Sequence, residues 1–182
     1  MKITVFTKGL KALNLASALI EPLEENGCII LDSEIMFLAH EQCDIHYHHV
    51  VDKPFYGEVW KMFEECPSLF LLVEGDLETV LKVVGEFTDP AKCNLNSFRK
   101  KYGENMTYNV CHRSGSEEDA ADEYERFWGK DGFIQSVPQE SSETSQSCWL
   151  FQENRDEGIT YDFWGSWHIC RLLHSFFQTL AK

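Results

Sequence analysis

Asn109-Val110-Cys111-His112-Arg113-Ser114-Gly115-Ser116 is the stretch around which the rest of the chain arranges itself. It places one histidine in a short loop, after a strand-like run from Thr107 to Cys111 and ahead of a helix. Ser116 followed three residues later by Asp119 gives a capping-box-like start, and Ala120, Tyr124 and Phe127 then share an inward face. The same helix carries Glu123, a carboxylate that can fold back onto His112. A neutral imidazole with a carboxylate on one ring nitrogen has its tautomer fixed and its other nitrogen free to attack. The stretch therefore points to a histidine nucleophile.

Outward from this segment the pattern alternates between periods of two and of about four. Residues 2–7 alternate like a strand, with Ile3 and Val5 on one face. Leu10, Leu13, Ala16, Ile20 and Leu23 recur at helical spacing before Gly27, a stop signal. A second strand is expected over residues 28–38, then a short helix around 41–48. Lys53-Pro54-Phe55 opens another helix running to about Glu65, since proline is tolerated in a first turn. Leu69-Phe70-Leu71-Leu72-Val73 is a continuous apolar run of strand length, and 77–84 is helical. Residues 88–106 are polar and basic without a clear period, which predicts a long loop, and such loops inside compact domains are usually functional or disordered. The order predicts an α+β fold, a ferredoxin-like α/β sandwich of the βαββαβ class with a four-stranded antiparallel sheet.

Residues 136–147 are rich in Ser, Glu, Gln and Thr and read as a linker. After them, 148–182 carries three tryptophans and an amphipathic end with Leu172, Leu173, Phe176, Phe177 and Leu180. The expected division is a domain over 1–135 and a linker plus aromatic-rich extension over 136–182.

Composition narrows the function classes. With 16 Lys and Arg against 30 Asp and Glu, the net charge of −14 argues against duplex nucleic acid or an anionic membrane as partner. Seven cysteines, an odd number without a Cys-x-x-Cys pair, fit reduced thiols and a cytoplasmic setting. No apolar run is long enough to span a bilayer, and the N-terminus lacks the apolar core of a signal peptide. His46, His48 and His49 superficially suggest a metal site, but adjacent histidines point apart on a helix and no further ligand lies at a zinc spacing. Cys148, His168, Cys170 and His174 match no common structural site either, so no metal ligands are expected. Lys82, Thr88, Arg99, Lys100 and Lys101 bracket the long loop, and converging on one cleft they would hold a polyphosphate. No glycine-rich P-loop is present.

Together these segments resemble the nucleoside diphosphate kinase family. The match runs through His46-Tyr47, Asp52-Lys53-Pro54-Phe55-Tyr56, Val73-Glu74-Gly75, Thr88-Asp89-Pro90-Ala91, Ser97-Phe98-Arg99 and Asn109-Val110-Cys111-His112, in order and nearly without gaps. The resemblance implies ping-pong phosphoryl transfer from a nucleoside triphosphate to a nucleoside diphosphate through phosphohistidine on His112. It implies that Lys8 contacts phosphate and ribose, that Tyr47 lies beside the reacting phosphoryl group, and that Glu123 orients the histidine. It further implies that Phe55 stacks on the base, that Lys82, Thr88 and Arg99 hold phosphates, and that Asn109 meets the ribose hydroxyl. Mg²⁺ would arrive with the nucleotide, and a homo-oligomer is expected. The chain departs from the family pattern at Lys8-Gly9-Leu10, where Lys-Pro-Asp is usual, at Lys82, where arginine is usual, and at Arg113 and Gly115 in place of the usual Gly and Asp. These departures raise an alternative, a weakened or inactive kinase-fold module serving nucleotide sensing or assembly.

Overall fold

The structure, a computed structural model, describes residues 1–134; the expected linker and extension lie outside the described residues. β1 (Lys2–Thr7) follows the alternation of the N-terminus and is buried from Ile3 onward. The helical pattern after it divides into α1 (Gly9–Leu13) and α2 (Ala16–Glu25), because Leu15 leaves helical dihedrals between them. α2 ends in a Schellman motif: Gly27, at φ 83°, donates to the Glu24 carbonyl and Cys28 to that of Leu23. That turn aims the chain into β2 (Ile29–Met36).

α3 (His40–His46) stops at His46, so His48 and His49 lie in the following turn and not on the expected helix. α4 (Tyr56–Glu64) begins three residues after Lys53, and Phe55 is its N-cap residue. β3 (Ser68–Glu74) and α5 (Leu77–Val84) fall where the pattern predicts them, and Asp76 caps α5 by accepting from the Thr79 N–H. The expected long loop over 88–106 is a correction. It contains a 3₁₀ turn at Pro90–Lys92, capped by Asp89, and α6 (Phe98–Tyr102), capped by Ser97. Elements of three and five residues are too short to leave a period in the sequence. A second correction concerns the strand before the histidine: β4 is Cys111–Arg113, so His112 lies within the strand and not in a loop after it. Val110, at φ 64°, ends the irregular segment that precedes it. α7 (Glu117–Trp128) starts at Ser116, whose hydroxyl accepts from the Asp119 N–H, and its acidic first turn suits the positive end of the helix dipole.

The strands pair antiparallel in the order β2-β3-β1-β4, the expected four-stranded ferredoxin-like sheet. Both faces are covered, as the unbroken burial along β1 and β3 requires. Ile3, Val5, Leu71 and Val73 meet Leu19, Leu23, Val80 and Val84 from α2 and α5 on one face. Phe6, Phe70 and Leu72 meet Val59 and Phe63 of α4 and Phe127 of α7 on the other. Each such side chain contributes roughly 1.5–3 kcal/mol by its burial. This second face matters for function, because packing α7 against β1 carries Glu123 across to β4.

Candidate active site

His112 is paired with Phe6 in the β1–β4 register, and the two rings stack with centroids 4.5 Å apart. Strand pairing fixes the backbone and stacking fixes the ring. The Nε2 atom of His112 then lies 2.9 Å from Glu123 Oε1, while the Ser114 hydroxyl donates to Glu123 Oε2 at 2.6 Å. Ser114 is itself held by the Thr4 N–H, 3.2 Å from its oxygen. Burial holds the His112 imidazole well below its usual range, and the cations Lys8, Arg99 and Arg113 push the same way. Burial pushes the Glu123 carboxyl upward, opposed by His46 and the Ser114 hydrogen bond. The pair is a hydrogen bond from a neutral imidazole to a buried carboxyl group and not an ion pair. With Nε2–H committed to Glu123, the lone pair of His112 is on Nδ1.

That nitrogen lies 3.4 Å from His46 Nε2, at the C-terminus of α3, and His46 Nδ1 lies 3.2 Å from Arg126 Nη1 on α7. His46, His112 and Glu123 are close enough in space to be considered a cation site. Their atoms are already committed to one another, however, and Arg126 lies directly against them. The arrangement is a hydrogen-bond chain.

Around this core stand several buried polar groups. Lys8 follows β1 and its N–H donates to the Val110 carbonyl at 2.8 Å. Burial, with Arg99 adding repulsion, lowers its ammonium to about 7. The Tyr47 hydroxyl and the Asn109 Oδ1 atom are buried without a hydrogen-bond partner among the described residues. Such orphans cost roughly 1–3 kcal/mol each, which an incoming polar ligand would recover. Asn109 is oriented by donating to the carbonyls of Met106 at 3.0 Å and Thr88 at 3.4 Å. Between it and the strand of His112, the Cys111 N–H reaches the Asn109 carbonyl at 2.9 Å across Val110. This is a γ-turn with a β-branched residue at positive φ, a rare and strained geometry of the kind that clusters at functional sites.

The remaining expected residues are placed differently. Arg99 is buried, but its guanidinium donates to the carbonyls of Cys111, Gly85 and Phe87. Lys82 is exposed and pairs with Glu78 on its own helix at 2.7 Å. Thr88 is exposed, and Phe55 is 44% exposed at the start of α4. Arg113, at the position where a glycine was expected, donates to the carbonyls of Gly85 and Glu86, and burial lowers it to about 10. Two guanidinium groups thus hold three consecutive carbonyls, Gly85 to Phe87, of the loop leading to Thr88. The sequence reading passed over Ser114, His46 and Arg126 as site residues. Arg126 did leave a signal, since it lies three residues after Glu123 and so shares its helix face.

The nucleoside diphosphate kinase family model matches residues 10–133. The chain is 32% identical over 117 residues to a nucleoside diphosphate kinase of Rubrobacter xylanophilus, covering 63% of this chain and 87% of that one. It is 29% identical over 119 residues to a nucleoside diphosphate kinase of Methanobrevibacter smithii, covering 64% and 79%. The crystal structure of the Encephalitozoon cuniculi nucleoside diphosphate kinase superposes with a TM-score of 0.65 at 25% identity, over 72% of this chain and 91% of that one. The fold is also that of the Halobacterium salinarum nucleoside diphosphate kinase solved in complex with CDP, with a TM-score of 0.62 at 22% identity over 68% and 84%. The family match and these likenesses place the sheet, covered on both faces, in the class of nucleoside diphosphate kinase folds. The chain belongs to the nucleoside diphosphate kinase family, a family of enzymes, and nucleoside diphosphate kinase is the function these likenesses support.

Proposed function

We propose that the chain carries out phosphoryl transfer through Nδ1 of His112. The observation that carries this reading is the 2.9 Å contact of His112 Nε2 with Glu123, which leaves Nδ1 as the attacking atom. The Nδ1 lone pair forms an N–P bond to the γ-phosphorus as the bond to the bridging oxygen breaks, and the nucleoside diphosphate departs with that electron pair. An oxygen of a second nucleoside diphosphate then attacks phosphorus and the electron pair returns to Nδ1. The proton stays on His112 Nε2, directed at Glu123, throughout, so no proton has to be moved. Catalysis of this kind rests on positioning and charge neutralisation.

Lys8 and the Tyr47 hydroxyl are the groups that would meet the transferred phosphoryl, and Asn109 Oδ1 the ribose hydroxyl. Arg99 and Thr88 would reach the remaining phosphates, with Phe55 stacking on the base. Mg²⁺ belongs to the substrate in this scheme: both Glu123 oxygens are occupied, so the site's own carboxylate is not offered to a cation. A homo-oligomer is part of the same proposal, supported by the exposed apolar side chains Ile29, Leu31 and Ile35 on the edge strand β2 and by Phe37 beyond it. A cytoplasmic setting agrees with five free, buried cysteines among the described residues and with no described helix long and apolar enough to cross a membrane. Two observations favour a slowed enzyme over a fast one: Lys82 pairs outward, and Arg99 is tied to backbone carbonyls.

The test is incubation with ATP radiolabelled at the γ-phosphate. The parent is expected to acquire acid-labile, base-stable label. His112→Ala should acquire none while still binding nucleotide. Equal labelling of the variant rules His112 out.

A further inference from the structure

The hydrogen bonds around His112 can be ordered by donor. Arginine offers only N–H donors, so its 3.2 Å contact makes His46 Nδ1 an acceptor. Burial holds His46 well below the usual imidazole range, so the ring is neutral and its single proton is on Nε2. That N–H faces His112 Nδ1 at 3.4 Å. His112 accepts there and donates from its other nitrogen to Glu123, whose second oxygen accepts a hydrogen bond from the Ser114 hydroxyl. A single chain runs from Arg126 through His46 and His112 to Glu123.

The consequence falls on the reacting atom. In-line attack needs the phosphorus about 3–3.5 Å from the nucleophile along its lone pair. His46 Nε2 lies at that distance from Nδ1 already, with the two rings edge-to-face at a centroid separation of 4.5 Å, so it crowds the approach to this nitrogen. Building on the phosphoryl-transfer reading above, we propose that His46, anchored by Arg126, is a positioning residue that caps the nucleophilic nitrogen, and that His112 reacts only when this N–H swings aside. Packing holds the cap as well as hydrogen bonding does, since the His46 ring lies edge-on to Phe6, Tyr47 and Phe127 at centroid distances of 5.4, 4.6 and 5.2 Å. α7 therefore acts on both nitrogens of the nucleophile: Glu123 binds one directly, and Arg126 governs the other through His46. An idle enzyme keeps its nucleophile covered, and an incoming phosphoryl group must compete with one hydrogen bond.

Phosphoramidate, a small phosphoryl donor that needs no nucleotide site, tests this. It labels an available imidazole by forming an N–P bond as its own P–N bond breaks and ammonia leaves. His46→Phe retains a ring against Phe6, Tyr47 and Phe127 but has no N–H, and in the full chain it should label at His112 about fivefold faster than the parent. Arg126→Leu should fall between the two. Equal or slower labelling of folded His46→Phe overturns the cap. If His46→Phe does not fold, nitrogen-resolved NMR of the parent decides: a proton on Nε2 of both rings supports the cap, and one on His46 Nδ1 overturns it. Labelling by phosphoramidate in the expected order, but none by ATP, would sink the kinase reading and leave the cap standing.

Discussion

The support behind His112, the proposed nucleophile, and the side in front of it that is proposed to meet phosphates are built in different ways. Behind His112, regular elements do the work: β1–β4 pairing sets the backbone, Phe6 stacks on the ring, and α7 brings Glu123 to 2.9 Å. In front, the groups expected on the phosphates come from α5, the segment after it and α6. Lys82 pairs outward with Glu78, Thr88 is exposed, and Arg99 spends its donors on carbonyls. Departures from the family pattern touch both sides, yet their consequences differ. Gly115 replaces an acid beside the nucleophile without disturbing the Ser114–Glu123 contact. Arg113 reaches forward and pins the loop that leads to Thr88.

Three substitutions probe this contrast. The largest effect is expected behind the nucleophile. Glu123→Gln keeps the shape but removes the charge, freeing His112 to adopt the other tautomer, and phosphoenzyme formation should slow by about 100-fold. A loss of less than threefold would mean that strand pairing and stacking alone orient the ring.

An intermediate effect belongs to Lys8, which bridges the two regions. Its ammonium titrates at about 7 in the free protein, because burial and Arg99 disfavour the charged form. Nucleotide phosphates would restore that charge and raise its pKa. Above pH 7 binding should therefore take up a proton, and affinity should fall as pH rises through 7. Titration calorimetry near pH 8 in two buffers of different ionisation enthalpy measures the uptake directly. Lys8→Gln should abolish Lys8's share of it, and an unchanged uptake in that variant would remove Lys8 from the phosphate site.

The smallest effect is expected in front. Lys82→Ala removes an exposed pair within one helix, so the rate should stay within about twofold of the parent. A tenfold loss would show that Lys82 turns inward when nucleotide binds.

Much of this site is legible in the sequence, and the limits are physical. His112 and Glu123 stand out because a strand, a cap and a helix of fixed pitch put them on facing elements. The domain's strands β1 and β3 leave clean patterns because their faces are buried. α6 and the 3₁₀ turn leave none, being shorter than a readable period. The outward pairing of Lys82 was not legible, since a lysine on a helix reads the same whichever way it turns. His46 looked like part of a histidine run, and only its approach to His112, 66 residues away in the chain, gives it a role.

In the proposed reaction, Nδ1 of His112 receives the phosphoryl group because Glu123 holds Nε2. Alkaline digestion of the labelled phosphoenzyme, followed by separation of the two phosphohistidine isomers, tests it most directly. The Nδ1-phosphorylated isomer, located on the peptide containing His112, is the expected product. The Nε2 isomer, or label on any other residue, would contradict the account.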